Sequence, residues 1–100
     1  MNIGKAIRQL RKEKGLNQIE LATKANLTQT ALSQIENGKR PGILTLQNIA
    51  AALEVSEPLI YLLSTEISDV PESRKDIYEK LFPVVESLII QIATEPNKKV

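Results

Sequence analysis

Residues 16 to 41, LNQIELATKANLTQTALSQIENGKRP, contain two short runs of helical spacing on either side of a polar reversal. Asn17 stands three residues before Glu20, the spacing of a capping box, and Ile19, Leu21 and Ala22 supply an apolar face before Ala25. This predicts a brief helix over 18–24. Asn26 follows, a residue that tolerates the left-handed backbone of a tight turn better than a branched side chain does. Thr28 can cap a second helix over 29–37, in which Ala31, Leu32 and Ile35 face inward and Gly38 is placed to end the run. Gln29, Thr30, Ser33 and Gln34 then share the outward face, so the second helix shows amides and hydroxyls to its surroundings.

The flanks extend the same pattern. Ile3, Ala6, Ile7 and Leu10 repeat at helical spacing, with Asn2 as cap and Gly15 as stop after the basic turn Lys12 to Lys14. After Lys39-Arg40-Pro41-Gly42, the run Leu44, Leu46, Ile49, Ala50 and Leu53 predicts a helix over 43–53. Ser56 and Pro58 open a fifth, carrying Leu59, Ile60, Leu62 and Leu63. With no alternating strand pattern, the expected fold is all-α, a compact five-helix bundle over 1–63.

Residues 64–72, STEISDVPE, read as a linker. Beyond it, 73–93 carries a helical stripe of Ile77, Leu81, Val84 or Val85, Leu88 and Ile92, with Ser73 and Asp76 spaced as a capping box. At Pro83 the helix either kinks or a fresh one begins, and a break is expected, because the missing N–H is harmless only in a first turn. The apolar residues of 84–93 cover more than one helix face, which points to pairing with a second copy through Val85, Leu88, Ile89 and Ile92. The alternative is that the segment folds back on its own bundle as a sixth helix. Residues 94–100 are expected to fray.

Composition narrows the chemistry. The 100 residues are 42% hydrophobic and 25% charged, as in ordinary globular chains, and contain neither cysteine nor histidine. A thiolate nucleophile, an imidazole base and most metal-ligand sets are therefore absent, and the four glycines form no phosphate-cradling motif. No enzyme, metal or cofactor is expected. The net charge is +1, with eight Lys/Arg against five Glu in 1–63 and five against seven acidic residues in 64–100. The start lacks an apolar signal core, and VVESLIIQIA at 84–93 is far shorter than the ~20 residues a bilayer requires, so a cytoplasmic protein without a membrane partner is expected.

Two short helices at a tight turn, the second polar outward, make a helix-turn-helix. The run 16–41, with RxxRxxKGLNQ before it, Ile35-Glu36-Asn37-Gly38-Lys39 within it and IAAALEVS after it, resembles the Cro and lambda-repressor-like family, also called XRE-like regulators. The resemblance covers roughly 3–63 and implies a five-helix domain that binds double-stranded DNA, usually as a homodimer, and regulates transcription. It implies base reading by Gln29, Thr30, Ser33 and Gln34, since glutamine can donate and accept at once, as adenine N6 and N7 require. It places phosphate contacts at Gln18, Thr28, Asn37, Lys39, Arg40 and the amides near Ile43 and Leu44, and it pairs Arg11 with Glu36 as a structural link between the first and third helices.

The sequence departs from the family pattern at Asn26, where Gly is frequent, and at Gly42, where a Ser cap is frequent; the second weakens the cap of the fourth helix. A protein-interaction module, such as an antitoxin-type partner-binding regulator, is the rival reading of the same fold.

Overall fold

The computed structural model describes residues 1–94. Within them the chain is all-α, with six helices: α1 (Ile3–Glu13), α2 (Gln18–Lys24), α3 (Gln29–Glu36), α4 (Ile43–Leu53), α5 (Glu57–Leu63) and α6 (Lys75–Thr94). The first five lie where the apolar spacing puts them, to within a residue or two.

Local chemistry sets their ends. Asn2 accepts from the Lys5 N–H and caps α1, and Asn17 and Glu20 close a reciprocal capping box at α2. Thr28 caps α3 by accepting from the Ala31 N–H at 3.1 Å. Between α2 and α3 the chain reverses through Asn26 at φ 58°, where Leu27 N–H returns to the Ala22 carbonyl at 2.8 Å. Gly38 at φ 120° ends α3 in the same way, with Lys39 N–H bonded to the Gln34 carbonyl. Helix α4 starts at Gly42 with no side-chain cap.

Leu10, Leu21, Leu32, Ile49, Leu53 and Ile60 are sealed from solvent at the centre, so α1 to α5 share one core. Fully burying such side chains stabilises by about 1.5–3 kcal/mol each. Two residues assigned to inward stripes face out: Ile19 is 59% and Leu44 68% exposed. Each lies in the first turn of its helix, beyond the reach of the core.

Helix α6 corrects the reading of Pro83, since it runs unbroken through that residue. Pro83 and Glu79 both lie on the exposed side of α6, where water can take the place of the amide partner that the Glu79 carbonyl loses, which reduces the usual cost of an interior proline. Ser73 caps nothing. The chain enters α6 through a 3-10 turn, Glu72–Arg74, in which Arg74 N–H bonds to the Pro71 carbonyl. The 64–72 connection holds another such turn at Ile67–Asp69 and is tied down where it starts: Asn2 N–H donates to the Ser64 carbonyl and the Tyr78 hydroxyl to the Thr65 carbonyl, both at 2.8 Å.

The α6 helix packs on α1 and α5 and buries Ile89 and Ala93 in the common core. Ile89, expected at a contact between copies, is spent on the chain's own packing, as the fold-back alternative requires. Val85 is half-buried beside it, while Leu88 and Ile92 remain exposed. Thr94 closes the helix with its hydroxyl on the Ile90 carbonyl; the rest of the tail expected to fray lies outside the described residues. No helix among the described residues is long and apolar enough to cross a membrane.

Candidate nucleic-acid interface

The site is built on α3, and its position is set by one buried carboxylate. Glu36 closes the helix with its side chain fully out of solvent. Arg11 on α1 grips it with two bonds, Nε to Oε2 at 2.8 Å and Nη2 to Oε1 at 3.0 Å, while Arg11 Nη1 donates to the Leu16 carbonyl at 2.9 Å. Gln18 Nε2 from α2 donates to Oε1 at 3.1 Å, and Arg8 Nε reaches the same oxygen at 3.4 Å. One carboxylate thus joins three helices. Burial alone would push its pKa up, but the hydrogen bonds from Arg11, Gln18 and Arg8, with the Arg11 charge, outweigh it and hold Glu36 below the usual carboxylate range. Among the described residues every buried side-chain polar atom has a partner.

Backbone proximity fixes the crossing of α1 and α3. A Cβ on Gly4 would overlap the Ile35 carbonyl oxygen and stand 3.2 Å from the Glu36 carbonyl carbon. Only glycine lets the helices meet this closely.

The opposite flank of α3 is open. Gln29, Thr30 and Gln34 are exposed and Ser33 is half-buried, so the four residues expected to read bases lie along one accessible side. The residues expected at phosphates are less uniform. Lys39 and Arg40 are exposed just past the end of α3, and Ile43 and Leu44 are exposed in the uncapped first turn of α4, whose leading N–H groups have no partner further up the helix. Thr28 is exposed and uses its oxygen as the α3 cap, which leaves its hydroxyl hydrogen free to donate. Gln18 is half-buried and turned toward Glu36, leaving one N–H of its amide for an outside acceptor. Asn37 is exposed but held, its Oδ1 accepting from Arg8 Nη2 at 3.0 Å.

Arg8 and Gly4 were missed as contributors. Both had a signal, because positions 4, 8 and 11 follow one another at helical spacing, and a glycine one turn before two arginines marks a face of α1 that meets another backbone.

The sequence model of the helix-turn-helix family matches residues 7–60. Over 56 residues the chain is 41% identical to the immunity repressor protein of Bacillus phage phi105, covering 55% of this chain and 39% of that protein. It is 45% identical over 56 residues to the HTH-type transcriptional regulator SinR of Bacillus subtilis, covering 54% and 50%. It is 40% identical over 75 residues to the ImmF control region 10 kDa protein of phage phi105, covering 74% and 81%. The matched region is thus about two fifths of the phage repressor and half of SinR. No solved structure matches significantly. With a matched segment that takes in α2, the Asn26 turn, α3 and the Glu36 junction, the chain belongs to the helix-turn-helix family of Cro- and lambda-repressor-like, XRE-type proteins.

Proposed function

We propose that the chain is a sequence-specific regulator of transcription that works in the cytoplasm, lays α3 in the major groove of double-stranded DNA and represses by occluding polymerase. The observation that carries this reading is the open amide and hydroxyl flank of α3, mounted on a helix whose other side is locked by Glu36 and the Gly4 crossing. Gln29 and Gln34 pair with base edges that offer both an acceptor and a donor, and Thr30 offers its methyl to thymine. Helix α3 has no lysine or arginine, so attraction to the backbone falls to Lys39, Arg40, the first-turn amides of α4, and the donors of Thr28, Gln18 and Asn37.

Reading an inverted repeat takes two copies, and α6 supplies the means. Ile77, Leu81, Val84, Leu88 and Ile92 are each more than half exposed and recur every three or four residues, forming an apolar stripe beside the face already used for the core. A second copy pairing along it, with Val85 at the margin, sets two α3 helices about 34 Å apart.

Selection of bound duplexes from a random pool tests both halves of the proposal. The native chain should enrich an inverted repeat with half-site centres about one helical turn apart. Leu88→Glu alters only an exposed side chain, so it should sediment as a folded monomer and enrich single half-sites. No enrichment by the native chain would defeat the DNA reading; a Leu88→Glu dimer would defeat the α6 pairing.

A further inference from the structure

Ser33 sits in a chain of hydrogen bonds that starts on another helix, and the direction of that chain is fixed by chemistry. The Arg8 guanidinium has donors and no acceptor, so the Asn37 amide atom that meets Nη2 at 3.0 Å is its oxygen. The other end of the amide is then the NH2 group, which lies 3.4 Å from Ser33 Oγ and donates to it. The Ser33 hydroxyl hydrogen meets no acceptor among the described residues. Every donor in the run from Arg8 through Asn37 to Ser33 points the same way, so the serine O–H is left as the outward-facing donor at the end of the series.

We propose that Ser33 meets its base as a hydrogen-bond donor, and that Arg8 sets this polarity through Asn37 without touching the base. A lone serine hydroxyl serves donor and acceptor edges alike. Here it favours the acceptors of the major groove, purine N7, guanine O6 and thymine O4, and disfavours cytosine, whose N4 amine is a donor. Arg8 is accordingly a positioning residue for specificity.

The inference rests on the DNA reading above, and the test separates the two. Duplexes are selected from a random pool with the full chain in four forms: native, Ser33→Ala, Arg8→Met and Asn37→Asp. The native chain should deplete cytosine at one half-site position by about three- to tenfold, the range of one neutral hydrogen bond. Ser33→Ala should erase that depletion and leave the positions governed by Gln29 and Gln34 unchanged, and Arg8→Met should weaken it. Asn37→Asp is the decisive variant: its carboxylate still accepts from Arg8 but also accepts from the Ser33 O–H, leaving the serine only lone pairs for the base. Preference at that position should then invert toward the donors of cytosine and adenine. A lower overall affinity from the added negative charge does not alter this ratio between bases. An Asn37→Asp profile matching the native one, or depletion that survives Ser33→Ala, overturns the proposal while the DNA reading stands. A native chain that enriches nothing overturns both.

Discussion

Gly4→Ala lowers the unfolding temperature by about 5–15 °C, although alanine is the better helix former by about 0.5–1 kcal/mol. The added methyl has no room, because it meets the Ile35 carbonyl oxygen, a backbone atom inside α3 that no rotamer change can move. Overpacking of this kind costs about 1–3 kcal/mol or more and outweighs the gain in propensity. Relief comes only from moving α1 away from α3, which also draws Arg8 and Arg11 from Glu36. Calorimetry on the native and Gly4→Ala chains checks the sign, and an unchanged or higher unfolding temperature would show that the helices are not in such close contact.

Glu36→Gln costs about 3–5 kcal/mol, the range for breaking a buried ion pair by removing one partner, and against about 5–15 kcal/mol for a whole domain this approaches unfolding. The loss arises because Arg11, with a side chain only 10% exposed, keeps its charge and loses the carboxylate that balanced it. Arg11→Met strands Glu36 in the same way. The double variant Arg11→Met/Glu36→Gln removes both charges, so its loss should be well below the sum of the two single losses, as urea titration can measure. Additive losses would mean that the two side chains act independently. Glu36 also predicts a pH dependence. Its folded pKa lies below the unfolded one, so its contribution is complete above about pH 4.3 and is lost as pH falls through the lowered value. Glu36→Gln should flatten that acid decline.

The parts legible in the sequence were those governed by short-range rules. The Asn17-Glu20 box, the Thr28 cap and the left-handed turn at Asn26 are set by residues within a few positions of one another, and helices α1 to α5 followed from them and from apolar spacing. Pro83 was misread because the cost of an interior proline depends on whether the released carbonyl meets water, and exposure is a tertiary fact. Ile89 and Leu88 are neighbours in sequence with similar hydrophobicity; which of them enters the core is decided by how α6 lies on α1 and α5. The same holds for the candidate site. The polar flank of α3 could be read from spacing, whereas the inward turn of Gln18 and the grip of Arg8 on Asn37 depend on where three helices cross.

In the proposed function, Gln29 and Gln34 on the open side of α3 distinguish one duplex from another. Fluorescence anisotropy with the duplex selected by the native chain and with a scrambled duplex, at one salt concentration, measures that discrimination for the native chain and for Gln29→Ala/Gln34→Ala. Each two-bond glutamine contact supplies about 1–3 kcal/mol of discrimination, so the double variant should lose at least about tenfold in the ratio of affinities while binding the scrambled duplex as the native chain does. An unchanged ratio in a folded double variant would contradict the account.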